Sequence, residues 1–515
     1  MEFVPVKLLF SPIRIAFLIV WFYLCMYLVQ RFEFSPIVPK RLKAYMNVLM
    51  LVFGPFVLFV FIAAEAAAKI LRQGVPFVDA VKAAFHRAGQ IVEVSHFAGS
   101  RSKNSLVLLD SSGKDMFEVF GGGKDKSDRS AIEHTHLIIA NALDELASDI
   151  LIDPISGDTF SIRYRVDGML RTVEEIDFRK CAAIVNSIKA VSSMDIAERR
   201  RPQDGAFIAK TPDGNVSFRV ASAGVLHGEK LSIRILNIAA KHLSLADVGM
   251  GERYQQLVRE TISHQQGMIL VCGPTGSGKS TTMQAMLCEL DFNSRNVITI
   301  EDPIEYVLPQ ASQIEINPKA DITFAKALRS VLRQDPDVIS VGEIRDAETA
   351  SVALSASQTG HLVLATLHSS SNAATIVRLM DLGVKPLLIS SAVDLIISQR
   401  LVRKLCPRCN AVADLTETQI VKFQQSKVDM SKIMQAKGCE YCANTGYKGR
   451  IGIFDMMIID EGVRAQILSE SFSVSNFKNI GDEHYKTNLR KQALKLAFSG
   501  VTSLAEVKRV TSNLG

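Results

Sequence analysis

A single stretch decides the fold class of this 515-residue chain: Gly273-Pro274-Thr275-Gly276-Ser277-Gly278-Lys279-Ser280-Thr281. It follows an apolar run at 268–271 and precedes a helix-forming run at 282–287. In this context the glycines allow successive backbone N–H groups to converge on phosphate groups, and the helix N-terminus adds the positive end of its dipole. Lys279 is expected to reach the β- and γ-phosphates, and the Ser280 hydroxyl to ligate Mg²⁺. The stretch therefore predicts a phosphate loop that binds a nucleoside triphosphate, rather than a glycine-rich turn without a ligand.

The sequence around the phosphate loop alternates between short apolar runs and longer amphipathic runs. Such alternation is typical of a mainly parallel sheet with helices on its faces. We therefore expect an α/β nucleotide-binding domain over residues 242–515. Beyond the strand before the loop, its predicted strands and helices are, in chain order, 297–300, 323–334, 338–341, 347–359 and 362–366.

The preceding region has a different pattern, in which short strands and turn residues dominate. A helix is predicted from Ser130 to about Ala147. Asp167-Gly168 then joins two β-like runs, which is the strongest hairpin signal in the chain. We predict a smaller α+β domain over residues 130–241. Its later strands are predicted at 207–209, 216–221 and 230–236.

Residues 121–129 are rich in Gly, Lys, Asp and Ser, which predicts a flexible polar linker. Residues 73–120 before it are predicted to form a short N-terminal α+β domain. Its elements are expected to be a helix at 74–89 and strands at 91–97, 105–109 and 116–120.

Two uncharged stretches near the N-terminus, at about 15–29 and 45–64, predict a membrane anchor over residues 1–72. A helix needs about 20 residues to cross a bilayer core, so the second stretch is long enough and the first is short. The loop at 30–43 carries more Lys and Arg than acid, which disagrees with two crossings that end in the cytoplasm. A re-entrant hairpin, one spanning segment beside an interfacial one, and a hairpin buried in a soluble domain are the alternatives.

Composition narrows the possible partners. The chain has 59 Lys and Arg against 53 Asp and Glu, which gives a net charge of +6. So small an excess, without a basic or aromatic strand-binding face, does not indicate nucleic-acid binding. It is compatible with an anionic membrane surface. We therefore expect no nucleic-acid partner and expect contact with membrane lipid.

Acidic residues follow two of the predicted strands. Glu343 comes at the end of the strand at 338–341, and in phosphate-loop enzymes a carboxylate at such a place faces Mg²⁺ and the attacking water. We predict that Glu343 orients or deprotonates that water. Glu301, Asp302 and Glu305 follow another strand, where they either line the nucleotide crevice or form an ordinary salt-bridged loop.

Histidines and arginines are weaker candidates on pattern alone. His361 and His368 flank the strand at 362–366, but single histidines are usually structural, and the pattern alone does not mark them as catalytic. Phosphoryl transfer often uses an arginine at the transferring group, although surface charge is the ordinary alternative. Four arginines in the strands of the smaller domain are candidates: Arg163, Arg165, Arg219 and Arg234.

Four of the eight cysteines form two Cys-x-x-Cys motifs: Cys406, Cys409, Cys439 and Cys442. Four thiolates in this arrangement suit tetrahedral Zn²⁺, which would close a small module over residues 406–442. Since no open ligand position is implied, the zinc is predicted to be structural. The loop between the motifs is longer than in a typical zinc ribbon, so a redox pair or buried thiols are the alternatives.

These features together resemble the secretion ATPase superfamily, which drives type II secretion and type IV pilus assembly, and in particular its tetracysteine-containing branch. The resemblance extends from about Ser130 to Gly515. It is carried by the phosphate loop and by four further runs: Arg163-Tyr-Arg-Val-Asp-Gly168, Arg201-Pro-Gln-Asp-Gly205, Ile300-Glu-Asp-Pro-Ile-Glu305 and the nearly diagnostic Leu328–Asp346. Ala206 departs from the pattern, because the family often has an arginine there.

The resemblance implies a RecA-like motor domain and a role for each matching residue. The implied motifs are an Asp box with Glu301, Asp302 and Glu305, a Walker B motif with Glu343, and a His box with His361 and His368; Arg219 and Arg234 match arginines that reach the nucleotide from the smaller domain. It further implies a homo-hexamer that uses ATP with Mg²⁺ and moves an inner-membrane platform protein. Family members are commonly peripheral and have a larger N-terminal docking domain, whereas this chain is predicted to carry its own anchor.

The leading hypothesis is an ATP-hydrolysing hexameric motor on the cytoplasmic face of the bacterial inner membrane, which powers type IV pilus assembly or type II secretion. Pilus-retraction motors resemble this chain but lack the four cysteines, and type IV secretion traffic ATPases are disfavoured for the same reason. An alternative of another class is a membrane-anchored scaffold that binds ATP without turnover. The presence of Lys279, Ser280 and Glu343 argues against that scaffold.

Overall fold

The structure is a computed structural model, and it describes residues 106–110, 112–119, 126–212, 214–236, 243–426, 428–469 and 488–512. All of them belong to one unit of the chain, which begins at Leu106. The predicted anchor at 1–72 and most of the predicted domain at 73–120 lie outside the described residues. Among the helices of the described ranges, none is both long enough and apolar enough to cross a bilayer.

An antiparallel sheet of seven strands forms the first half of the described chain, with strand order β1-β5-β6-β7-β2-β3-β4. The strands are β1 (Val107–Leu109), β2 (Ala147–Pro154), β3 (Thr159–Val166), β4 (Met169–Asp177), β5 (Gln203–Thr211), β6 (Gly214–Val225) and β7 (Gly228–Leu236). The helices are α1 (Met116–Val119), α2 (Lys126–Asp144) and α3 (Phe178–Val191). Apolar residues of the sheet and of these helices share one core.

The predicted hairpin is confirmed. Val166 of β3 pairs with Met169 of β4, so only Asp167 and Gly168 connect the strands. Both have positive φ, 51° and 82°. Two positive φ values match the twist of a tight two-residue hairpin, which is why the sequence signal here was specific.

Three local features differ from the sequence predictions. Residues 116–119 form a helical turn instead of a strand, because the amides of Glu118 and Val119 both donate to the Asp115 carbonyl. Helix α2 begins at Lys126, so residues 126–129 are helical rather than part of a linker. Helix α3 was not foreseen; it begins after Asp177, whose side chain accepts a hydrogen bond from the Lys180 amide and caps the helix.

A second sheet of seven strands forms the rest, in the order β10-β9-β11-β12-β8-β13-β16, and only the last pair is antiparallel. This confirms the expected α/β class with a mainly parallel sheet. Its strands are β8 (Gly267–Cys272), β9 (Val297–Glu301), β10 (Ser312–Glu315), β11 (Val338–Val341), β12 (Leu362–Leu367), β13 (Val393–Leu405) and β16 (Tyr447–Ile458). The helices up to β13 are α4 (Glu252–Ile262), α5 (Lys279–Leu287), α6 (Phe324–Val331), α7 (Ala347–Gln358), α8 (Asn372–Asp381) and α9 (Pro386–Ala392).

Strand β8 shows why both faces of this sheet are covered. Met268, Leu270 and Cys272 face a core that includes residues of α6 to α9. Ile269 and Val271 face the opposite core, which includes residues of α4 and α5. Because side chains alternate along a strand, a continuous apolar run feeds both cores. The phosphate loop therefore leaves the sheet from a strand buried on both faces.

The C-terminal part is built on β13 and β16. The pair β14 (Ala411–Val412) and β15 (Met434–Gln435) forms a separate small antiparallel ladder. The remaining helices are α10 (Glu417–Gln425), α11 (Glu461–Ile467), α12 (Leu489–Phe498) and α13 (Leu504–Thr511). The α12 and α13 helices pack on β13 and β16 through a fourth apolar core.

Candidate functional site

The phosphate loop has the strand–loop–helix geometry that the sequence predicted. It follows β8, and Lys279 is the first residue of α5. Gly276 and Gly278 have φ of 75° and 88°, values at which any side chain would be strained. These glycines allow the tight turn that directs backbone N–H groups into an anion site at the start of α5.

The Lys279 side chain folds back over the loop and is only 8% exposed. Its Nζ donates to the carbonyls of Gly273 at 3.1 Å and Pro274 at 3.3 Å. Burial lowers the pKa of Lys279, while the nearby carboxylates of Glu343 and Glu305 act to raise it. A partly desolvated ammonium ion above a phosphate-binding turn is well suited to attract a polyphosphate.

His368 lies next to this lysine, and Glu343 lies next to His368. Lys279 Nζ lies 3.5 Å from His368 Nδ1, and His368 Nε2 lies 3.3 Å from Glu343 Oε2. Since β8, β12 and β11 are parallel neighbours, their carboxyl ends bring these three side chains to one edge of the sheet. Burial and the charge of Lys279 lower the pKa of His368, which favours a neutral ring at neutral pH.

Arg345 is a member of this cluster that the sequence analysis did not single out. It contacts Glu343 directly and lies 3.4 Å from Asp302. The hydrogen bond with Glu343 raises the pKa of Arg345. The signal in the sequence was its position two residues after Glu343, within the run Leu328–Asp346 that resembles the secretion ATPases. Arg345 thus connects the strand end at β11 with the acidic loop after β9.

The acidic segment after β9 lies at the same edge of the sheet. Glu301 Oε1 accepts hydrogen bonds from Thr299 Oγ1 at 2.6 Å and from Gln313 Nε2 at 3.1 Å. Tyr306, just beyond Glu305, lies with its hydroxyl 3.3 Å from Thr281 Oγ1. The residue that follows the Asp box therefore contacts the phosphate loop, and Glu301 is oriented by its own strand and by β10.

His361 lies apart from this cluster, and its predicted role in the His box stays a prediction. It precedes β12, whereas His368 follows it, and β12 has six residues. Six strand residues span about 20 Å. The ring Nδ1 of His361 lies 3.1 Å from the Ala356 carbonyl at the end of α7. Within this chain His361 lies at the amino-terminal edge of the sheet, away from Lys279.

Two arginines of the first sheet lie opposite each other on neighbouring strands. Arg219 of β6 pairs in register with Arg234 of β7. Arg219 reaches across to Glu315 of β10 at 3.1 Å, and Arg234 contacts Asp149 at 3.3 Å. Glu315 is itself in register with Glu301 on β9. Arg219 therefore already bridges the two sheets close to the acidic segment.

The other two arginine candidates, like Arg234, are paired with carboxylates of the first sheet. Arg163 contacts Asp153 at 2.6 Å, and Arg165 contacts Asp149 at 3.1 Å. These contacts join neighbouring strands β2 and β3. They favour the ordinary structural alternative for Arg163 and Arg165.

The four motif cysteines come together, with their sulfur atoms all within 4.8 Å of one another. The closest pairs are Cys406–Cys439 at 3.9 Å, Cys409–Cys442 at 3.7 Å and Cys439–Cys442 at 3.7 Å. Tetrahedral Zn²⁺ with Zn–S bonds of about 2.3 Å requires sulfur separations of about 3.8 Å. The donor set and its spacing therefore fit a zinc ion.

The surroundings of Cys442 favour a thiolate. Burial acts to raise its pKa, but the amides of Cys439 and Gly446 donate to its sulfur, and together with the neighbouring thiols they lower the pKa to about 6. Thiolates are the form that binds metal. Strand β13 runs directly into Cys406, so the cluster is attached to the nucleotide-binding sheet.

Replacement of Cys409 by Ala is expected to remove stoichiometric zinc from the purified chain and to lower its melting temperature, because three thiolates leave the tetrahedron open. Zinc content by atomic emission and unfolding by calorimetry measure both effects. Cys288→Ala is the matched control, since Cys288 is an isolated cysteine outside the cluster. Equal zinc content in the two variants would contradict the prediction.

The fold and this edge of the sheet define a phosphate-loop nucleoside triphosphatase. The family described as type II/IV secretion system protein matches residues 124–509, and the chain belongs to that family. The chain is accordingly an ATPase of the secretion and pilus motor class. The family implies ATP and Mg²⁺ as its cofactors.

Individual relatives agree with this assignment. The type II secretion system protein E of Aeromonas hydrophila is 41% identical over 384 residues, which cover 75% of this chain and 76% of that protein. The type II secretion system ATPase E of Vibrio cholerae is 40% identical over 386 residues, with 75% and 76% covered. The solved ATPase DotB of Legionella pneumophila has a TM-score of 0.55 at 23% identity over 72% of this chain and 93% of its own, which supports the fold.

Proposed function

We propose that the chain is a homo-hexameric motor that hydrolyses ATP on the cytoplasmic face of the bacterial inner membrane and powers type II protein secretion or type IV pilus assembly. The observation that carries the proposal is the convergence of Lys279, His368 and Glu343 at the carboxyl edge of the parallel sheet. The relatives from Aeromonas hydrophila and Vibrio cholerae are type II secretion proteins, which supports a role in export.

In this proposal the loop from Gly273 to Thr281 holds the phosphates of ATP, and Lys279 neutralises the β- and γ-phosphates. The Ser280 side chain is exposed at the start of α5, where it is placed to hold Mg²⁺. Bound Mg²⁺ would supply charge neutralisation at the transferring group.

Glu343 takes the role of general base. His368 lies between Glu343 and Lys279, and the contact with Arg345 holds the Glu343 carboxylate at the carboxyl edge of the parallel sheet. His368, with its lowered pKa, is placed to relay a change at the γ-phosphate from Lys279 to Glu343. Glu301 and Glu305 add negative charge that helps to hold the metal and to orient the incoming water.

Arg219 and Arg234 are proposed to complete the nucleotide site from the smaller domain. Their side chains are 46% and 65% exposed, so they are available to a triphosphate when the domains or subunits close. A hexamer would bring such arginines to several nucleotide sites at once. Zinc at the four cysteines has a structural role in this proposal.

The remaining parts of the proposal concern the membrane. The apolar stretches within 1–72 anchor the motor, and an inner-membrane platform protein receives its motion. Lipid contacts through the anchor would replace the peripheral recruitment that the resemblance implies. Pilus retraction is the less favoured motor role, because the four-cysteine cluster is present.

ATP turnover per subunit is expected to rise with the concentration of the full-length detergent-purified chain, in step with assembly measured by light scattering. Turnover that is constant per subunit from monomer to hexamer would contradict a site completed by a neighbouring subunit. ATP binding without turnover at every concentration, and also in the presence of membranes, would favour the scaffold alternative.

A further inference from the structure

A buried glutamine of β13 forms a hydrogen bond with the phosphate loop. Gln399 Nε2 donates a hydrogen bond of 2.9 Å to the Ser277 carbonyl, although the two residues are 122 positions apart. Gln399 is 1% exposed and Ser277 is 3% exposed. A carbonyl oxygen only accepts hydrogen bonds, so this contact fixes which end of the Gln399 amide faces the loop.

The same residue approaches the loop at two further points. A Cβ atom added at Gly278 would lie 2.9 Å from Gln399 Nε2, and one added at Gly273 would lie 2.7 Å from the Gln399 carbonyl oxygen. Both distances are too short for real Cβ contacts. Gly273 and Gly278 therefore allow β13 to pack closely against the loop, in addition to allowing the tight turn.

This contact has a direct consequence for anion binding. In a planar trans peptide the C=O and the following N–H point in opposite directions. Holding the Ser277 carbonyl toward β13 therefore directs the Gly278 N–H away from β13, toward the open side of the loop. Without the glutamine, a buried carbonyl would lose its partner and the peptide would be free to rotate.

We propose that Gln399 is a positioning residue for ATP: it fixes the orientation of the Ser277–Gly278 peptide so that the loop presents its N–H groups to the phosphates before ATP arrives. This inference rests on the proposed role of the phosphate loop. Gln399 does not touch the reacting atoms, so it is expected to act on affinity and to leave the chemical step nearly unchanged.

The first test replaces Gln399 by Met, which keeps the volume and removes the donor. The KM for ATP is expected to rise about tenfold, while kcat changes less than about threefold. ATP affinity is measured independently from the rise in melting temperature with added MgATP. Gln284→Met is the matched control, because Gln284 is also buried and lies on α5 just beyond the loop.

The second test replaces Gln399 by Glu, which has nearly the same shape. A neutral carboxyl group has an O–H that can donate to Ser277, whereas an ionised one has no donor and repels the carbonyl. The ratio of variant to wild-type ATP affinity is therefore expected to fall as the pH rises from about 6 to about 8.5, because buried carboxyl groups ionise late. The same ratio for Gln399→Met is expected to stay flat.

Unchanged affinity in Gln399→Met, or a pH-independent ratio for Gln399→Glu, would overturn the inference. A loss of affinity in Gln284→Met equal to that in Gln399→Met would also overturn it, since general disturbance of the core would then suffice. Failure of the proposed function has a different signature, because the wild-type chain would then show neither MgATP-dependent stabilisation nor turnover.

Discussion

Replacement of Glu343 by Gln is expected to reduce ATP turnover by about 10²- to 10⁴-fold, the range over which a positioned general base contributes. Gln has the shape of Glu but accepts no proton at neutral pH. Steady-state phosphate release measures the loss. ATP affinity, measured by MgATP-dependent stabilisation, is expected to change little, because Lys279 and the phosphate loop are unaltered.

The neighbours of Glu343 make this prediction specific. Loss of its negative charge leaves Arg345 with Asp302 and removes a carboxylate that would repel a bound triphosphate. A modest gain in ATP affinity is therefore compatible with the proposed role, whereas a large loss is not. Glu260→Gln, on the outer part of α4, is the matched control and is expected to turn over ATP normally. Wild-type turnover in Glu343→Gln would show that another group activates the water.

The phosphate loop could be predicted because its residues interact locally. Strand, glycine turn, lysine and helix are contiguous, so the motif is recognisable from the φ values its glycines adopt and from the start of α5. The Asp167-Gly168 hairpin could be predicted for the same reason. The paired Cys-x-x-Cys motifs likewise indicated their own cluster, because thiol pairs at that spacing are rare outside metal and redox sites.

The features that the sequence did not predict depend mainly on contacts between residues that are far apart in the chain. Gln399 lies 122 positions from its partner Ser277, and nothing in the local sequence marks it. His361 and His368 were grouped because both flank one strand, although only His368 follows it and so lies at the carboxyl edge, where parallel sheets bind ligands. The turn at 116–119 was assigned as a strand because so few residues do not distinguish a period of 2 from one of 3.6.

Replacement of Arg219 by Ala is expected to lower ATP turnover about 10³-fold, while ATP affinity falls only a few-fold. Arginines that stabilise charge in phosphoryl transfer contribute 10³ to 10⁵ in rate. Arg234→Ala is expected to show the same pattern. Turnover and affinity are measured on the assembled chain, at concentrations where wild-type turnover per subunit has reached its plateau.

The present contact of Arg219 is weak enough to be exchanged for a phosphate. Its partner Glu315 lies at 3.1 Å, and the two side chains are 46% and 50% exposed. Ion pairs this exposed contribute about 0.2–1 kcal/mol, whereas a 10³-fold rate effect corresponds to about 4 kcal/mol. Arg219 also lies opposite Arg234 on the neighbouring strand. Like charges in register repel each other, and an anion bound beside them would reduce that repulsion.

Arg163→Ala distinguishes a role at the nucleotide from a general contribution to the stability of the first sheet. Arg163 is also a strand arginine, but it is paired with Asp153 within that sheet. Its loss is expected to lower thermal stability with turnover reduced less than about threefold in the folded protein. Equal losses of affinity and turnover in Arg219→Ala would assign Arg219 to ATP binding. A loss of turnover in Arg163→Ala as large as that in Arg219→Ala would instead assign both arginines to the stability of the sheet. Only a residue that acts at the transferring phosphate is expected to lower turnover while ATP binding and folding stay nearly unchanged.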